Sequence, residues 1–175
     1  MKNIVLINVV LIVFFVVNLD LCAQDKDDDY KRLVDSAIVI KSLEEYKYLE
    51  IASSKNIKTD NWNYHIRNYK HYLENIYLID SEYRPYAISS SIKNSIKFKE
   101  MDICNSKKIF KKGISAWQIR PKLKNNELKI DIINFGIKYS KKIYNLANGG
   151  GTTVIFEYQF EAKKWVLISV KHSGI

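Results

Sequence analysis

Arginine is nearly missing from this chain. Of 28 basic side chains only 4 are Arg and 24 are Lys, against 19 acidic ones, for a formal net charge of +9. Recognition of phosphates and base edges favours the planar bidentate fork of Arg. A specific nucleic-acid partner is therefore not expected, despite the positive field. Cysteine is scarce as well, with Cys22 and Cys104 alone. If Cys22 leaves with a leader, no internal disulfide can form and packing must hold the fold. Cys104 then reads as a small half-buried residue near a strand end. The three histidines are scattered, and no Cys/His cluster has zinc spacing. Four Asp between positions 25 and 29 lack the loop spacing, glycine and distal glutamate of a calcium-binding hand. Three glycines are consecutive, Gly149 to Gly151, but no strand–helix context makes them a phosphate cradle. They are expected to form a hairpin loop. Ser89, Ser90 and Ser91 lack the flanking glycines of a nucleophile elbow. No cofactor is implied, and the chain does not read as an enzyme.

What is present begins with Met1, Lys2 and Asn3, then an apolar run from Ile4 to Val17 broken by Asn8, then a polar turn after Asp25. That order is the n-region, h-region and cleavage region of an export signal. The run is short for a membrane span, which wants about 20 apolar residues. Residues 1–23 are therefore expected to be a signal peptide, with cleavage after Ala23 and a periplasmic or extracellular location. Cys22 offers a second reading, lipid attachment at its thiol. Membrane association is expected only if Cys22 is lipidated or the signal is retained. Residues 24–29 read as an acidic flexible leader, and residues 30–175 as one domain.

The domain changes period midway. Tyr30, Leu33, Val34, Ala37 and Ile38 recur at helical spacing. Ser42 with Glu45 suggests a capping box and a helix break near Lys41. A second helix carries Trp62, His65, Ile66, Tyr69, Leu73 and Ile76 on one stripe, capped by Thr59 or Asp60. Arg84-Pro85 marks a turn. From about Ile88 the alternation becomes twofold, with a strand opening at Ile96 and Phe98. Trp117, Ile119 and Leu123 share one face of a strand in which Pro121 suggests an edge or bulge. Leu128, Ile130 and Ile132 alternate, and then Ile133, Phe135 and Ile137, so that strand is bulged or covered on both sides. A loop is expected from Tyr139 to Gly151. Val154, Phe156, Tyr158 and Phe160 then pair as a hairpin with the strand that starts at Trp165. Helices first and strands afterwards predict an α+β domain: N-terminal helices packed on a curved antiparallel meander of four to five strands.

The ending Val154-Ile155-Phe156-Glu157-Tyr158-Gln159-Phe160 and Lys164-Trp165-Val166-Leu167-Ile168-Ser169 resembles small exported bacterial domains of the nuclear-transport-factor-two-like or cystatin-like kind. The resemblance implies a helix–sheet pocket, with no catalytic residue carried over. His65, Tyr69 and Asp131 are the candidate pocket residues, with His65 placed on the apolar stripe as the best acid or base. Glu157 and Glu161 read as a solvent face. The lysine clusters Lys107-Lys108, Lys111-Lys112 and Lys141-Lys142 are candidate anion sites and are placed in turns or loops. The leading function is an exported, non-catalytic binding or interaction domain for a protein or small molecule. A pocket enzyme or small-ligand binder on a cone-shaped roll is the alternative, as is a cationic envelope protein that holds anionic glycan or lipid.

Overall fold

The computed structural model describes residues 26–55, 57, 59–93, 98–99 and 106–174. The first helix, α1 (Lys26–Ser54), is continuous. The break expected near Lys41 is absent because Glu45 does not turn back to cap Ser42. Its carboxylate instead meets the Lys41 ammonium one turn earlier, 2.6 Å away, a spacing that reinforces a helix. The acidic stretch ahead of the domain is helical from Lys26 onward. Val34, Ala37, Ile38, Leu49 and Ala52 form the buried stripe of α1.

Helix α2 (Asp60–Leu73) starts at Thr59, whose Oγ1 accepts the Trp62 amide at 3.3 Å. It ends before Ile76, which begins strand β1 (Ile76–Ile79). Four contiguous apolar or aromatic residues hid this strand, because Ile76 also continues the helical stripe. Next come the short helices α3 (Ser90–Lys93) and α4 (Ser106–Lys112). The strands β2 (Ile114–Lys124), β3 (Glu127–Ser140), β4 (Ile143–Gln159) and β5 (Lys164–Ser173) complete the chain.

The result is an α+β fold with one five-stranded open sheet in the order β1-β2-β3-β4-β5. Strands β2 to β5 form the expected antiparallel meander, while β1 lies parallel to β2 after a crossover. That crossover is anchored at Asp35 on α1. Its buried carboxylate accepts Lys31 Nζ at 2.8 Å, the Tyr86 hydroxyl at 2.8 Å and the Ser89 amide at 2.9 Å, together with the Ser89 hydroxyl. Pro121 lies past the reach of β1, whose pairing with β2 covers Ser115 to Gln118, so its missing donor interrupts no ladder there.

Strand β3 is covered on both sides, the second of the two expected explanations for its pattern. Leu128, Ile130 and Ile132 join Trp117, Ile119, Val154 and Phe156 in a core against the helices. Ile137 joins Ile79, Phe110 and Ala116 in a smaller core on the other face, beneath α4. The stretch from Lys108 to Lys112, placed in a loop by sequence, is thus part of a helix that covers sheet.

The expected loop from Tyr139 to Gly151 is mostly strand. Its only reversal is at Lys141 and Lys142, with φ of 50° and 65°, between the paired residues Ser140 and Ile143. Positive φ at both central residues matches the sheet's own twist. Gly149, Gly150 and Gly151 form a bulge: from Ile133 to Phe135 β3 advances two residues, while β4 advances three, from Gly151 back to Asn148. Gly150 takes φ of 82°, and a Cβ there would run into the Ser173 carbonyl oxygen. Gly113 has nearly the same φ, 80°, but open space around it. Gly113→Ala should therefore cost only the left-handed backbone strain of about 1–2 kcal/mol. Gly150→Ala should lower the urea midpoint clearly further, and equal midpoints would show that the bulge tolerates a side chain.

Candidate functional site

Residues opposite each other on neighbouring strands point to the same face. On the helix-facing side of β3 the order is Leu128, Ile130, Ile132, then Asn134, which pairs with Trp117, and Gly136, which pairs with Ser115. The apolar row therefore gives way to small and polar residues in mid-strand. Beyond Ile132 the sheet no longer fills the space beneath the helices. A hollow of about 400 Å³ opens there, lined by Glu45 of α1, Tyr69 and Tyr72 of α2, Ser115, Asn134 and Gly136 from the sheet, and Asn148 and Gly149 of the bulge.

Its polar wall hangs on Lys41, which is 1% exposed. The ammonium donates to Glu45 Oε1 at 2.6 Å and to Thr152 Oγ1 at 3.3 Å, and it sits 4.6 Å from the centre of the Trp117 ring. Glu45 Oε2 accepts the Tyr69 hydroxyl. Trp117 Nε1 donates to the Tyr72 hydroxyl oxygen at 3.1 Å. Thr152 Oγ1 lies 3.2 Å from His172 Nδ1, and the other ring nitrogen lies 3.3 Å from Glu44 Oε2 without hydrogen-bond alignment. The carboxylate at the hollow is thus neutralised from behind.

Burial pushes the Tyr69 hydroxyl far above its ordinary range, and the bond to Glu45 and its charge push it further. Burial also raises Tyr72. The bond from Trp117 works against that rise, while the charge of Glu45 adds to it. Both phenols therefore keep their protons at neutral pH. The proton on Tyr69 is committed to Glu45, whereas Tyr72 accepts from Trp117 and has its own O–H to offer. Asn134 is the least satisfied wall residue. Its Nδ2 makes one long bond of 3.5 Å to the Gly149 carbonyl, and its buried Oδ1 has no partner.

The three pocket candidates from sequence part company. Tyr69 lines the hollow. His65 is exposed rather than buried, one step outward in an aromatic row, with its ring 6.3 Å from that of Tyr69. Asp131 lies on the opposite face of β3, bonded to Thr153 Oγ1 at 2.5 Å and Lys129 Nζ at 3.0 Å. Glu45 takes the place expected for it. Two sequence signals could have identified the wall: the Lys41–Glu45 spacing of one helical turn, and Asn134 interrupting a twofold apolar run.

Among the anion candidates, Lys108 and Lys112 line a second, larger hollow that Lys111 does not reach. Lys141 and Lys142 form the exposed β3–β4 turn. The side chain of Lys107, the candidate lipidation site Cys22 and Cys104 fall outside the described residues. No group of three metal-ligating side chains occurs among the described residues, and no described helix is long and apolar enough to cross a membrane. No family model, curated protein or solved structure matches the chain.

Two tests follow from this wall. Removing one partner of a buried ion pair leaves the other uncompensated. Lys41→Met and Glu45→Gln should each cost about 2 kcal/mol or more, and the double variant clearly less than their sum. Additive losses in a double-mutant cycle would break the coupling argued here. The second test is alkaline. Unfolded tyrosines ionise near pH 10, while Tyr69, Tyr72 and Tyr86 hold their protons when folded. Above that pH the unfolded chain binds fewer protons, so stability present below about pH 10 declines as pH rises. Denaturant titrations across that range should show the decline, and Tyr69→Phe should flatten it.

Proposed function

We propose that the domain is a non-catalytic binder of a small, uncharged, hydrogen-bonding molecule with a flat apolar face, held in the hollow between α1, α2 and the sheet. The observation that carries this reading is Asn134. A buried polar atom without a partner is costly, and at this position Leu would continue the row of Leu128, Ile130 and Ile132. Asn134 is polar where packing alone would favour an apolar side chain, which is how a site built for a ligand differs from a core.

The remaining wall supports the ligand chemistry. Tyr69 and Tyr72 stack with ring centres 5.9 Å apart and an interplanar angle of 22°, giving one aromatic wall. The Tyr72 hydroxyl, the Ser115 hydroxyl and the Asn148 amide supply hydrogen-bonding groups to the hollow. The Glu45 charge is already balanced by Lys41, so a charged ligand gains little from it. His65 stands outside this wall, and the Glu45 carboxylate in it is already engaged by Lys41 and Tyr69, which disfavours the catalytic alternative.

The domain acts after export on this reading, as a periplasmic or extracellular protein. The cationic, apolar and polar order of residues 1–23 supports that placement. Two helices followed by a meander, with a hollow between them, support the architectural likeness to nuclear-transport-factor-two-like domains. Mass spectrometry of the mature N-terminus tests the location.

The binding claim is tested with Asn134→Leu. The variant should be as stable as the parent or more so, because an unpaired polar group is exchanged for apolar contact. A panel of nucleobases, nucleosides and pyranosides should raise the melting temperature of the parent for at least one member and leave the variant unmoved. A strongly destabilised variant, or a panel with no effect on the parent, would remove the reading.

A further inference from the structure

A second hollow adjoins the first at Ser115, Gly136 and Ala147, and its chemistry is different. It is a groove of about 880 Å³ between α4, the end of α2 and the paired ends of β2, β3 and β4. Lys108 and Lys112 line it from α4, four residues apart, and Lys138 lines it from the face of β3 opposite Ile137 and Leu146. None of the three has an ion-pair partner among the described residues. No Asp or Glu lines the groove, and its other ionisable residues are His71 and Tyr77. Ile109 and Leu146 line the same groove as the α4 lysines, and Leu146 is 44% exposed.

Each part of this arrangement is unfavourable when the groove holds only water. Like charges at i and i+4 on a helix repel. A large apolar side chain left nearly half exposed forgoes its burial. One occupant relieves both, and it must be anionic at one end and apolar at the other. The volume falls within the range of small-molecule sites, about 300–1,000 Å³. A polymeric glycan or nucleic acid would make no use of the apolar floor. We infer that the groove binds a small free amphipathic carboxylate or phosphate, its head on Lys108 and Lys112 and its hydrocarbon body on Ile109 and Leu146.

The site is independent of the neutral hollow, and the experiment keeps the two apart. Octanoate, acetate and 1-octanol are titrated into the purified protein by calorimetry. Octanoate should bind, with acetate and 1-octanol each at least about tenfold weaker, since both ends contribute. Longer fatty acids should tighten binding by up to about fourfold per methylene until the groove is filled. Rising salt should weaken binding. Lys108→Gln/Lys112→Gln should lose about tenfold for octanoate. Lys141→Gln/Lys142→Gln removes the same charge outside the groove and should change little, and Asn134→Leu should change nothing. If the Lys108/Lys112 variant fails to fold, Leu146→Gln at an exposed position carries the test with the same expected loss. Absence of octanoate binding, equal loss in both lysine pairs, or binding to phosphatidylglycerol vesicles without binding to octanoate would overturn the inference.

Discussion

The Lys41 ammonium is the charge around which the rest of this interior is arranged. A cation taken out of water is tolerated only when nearby groups replace its hydration. Here three do so: the Glu45 carboxylate, the Thr152 hydroxyl and the face of Trp117. Each comes from a different element, so satisfying one charge ties α1 to β2 and β4. The consequences extend outward. Glu45, held by Lys41, orients the Tyr69 hydroxyl. Trp117, held beneath Lys41, places its N–H on Tyr72. The walls of the hollow are therefore fixed from inside the core, a preorganisation that would lower the cost of binding the proposed ligand.

The sheet contributes the space. Its helix-facing side is apolar from Leu128 to Ile132, and Asn134 and Gly136 follow on the same face. Opposite them, the β4 bulge brings Gly149 against Asn134 and packs Gly151 so tightly on β3 that a Cβ would lie 2.5 Å from the Ile132 carbonyl oxygen. A bulge bends its strand and re-aims the residues after it. Small residues at Ser115, Gly136 and Ala147 then leave both hollows open along a common border. The second bulge, at Ile168 between the Ile155 and Phe156 pairings, has a different consequence. It leaves Ile168 51% exposed on β5, which pairs with β4 alone among the described strands. That interruption blunts an edge open to pairing with another chain.

Long periodic segments were legible because a single physical cause dominated each. The Val34–Ala37–Ile38 stripe, the Thr59 cap, the β3 alternation and the last hairpin follow from burial and backbone geometry alone. Elements failed where two causes gave the same pattern. Ile76 fits both a helical stripe and a four-residue strand. Ser42 with Glu45 fits a capping box, and Lys41 with Glu45 fits an ion pair; the buried cation decided between them, and burial cannot be read from spacing. The glycine triplet satisfies a loop and a bulge equally well. The site was less legible than the fold for the same reason. Tyr69 was found because it is aromatic on a helix stripe. His65, on the same stripe, lies outward because α2 covers the sheet only over part of its width. Asp131 was misplaced because its face depends on strand parity, and the parity of β3 is ambiguous when both faces are apolar.

The two hollows differ in charge for a reason that lies in their supporting elements. The first is backed by a long helix and the sheet core, where a carboxylate can persist only with its own cation beside it, so its walls present dipoles and no net charge. The second is backed by α4, a seven-residue helix at the margin of the fold. Lys108, Lys111 and Lys112 there are exposed, keep their heads in water and need no internal partner. Neutral hydrogen bonding belongs to the hollow beside Lys41 and unopposed positive charge to the groove beside α4, and the border residues Ser115, Gly136 and Ala147 carry no charge that could blur the distinction. The contrast in wall chemistry thus follows from the supporting elements: a carboxylate beside the core keeps its own cation, and lysines on a short outer helix keep their heads in water.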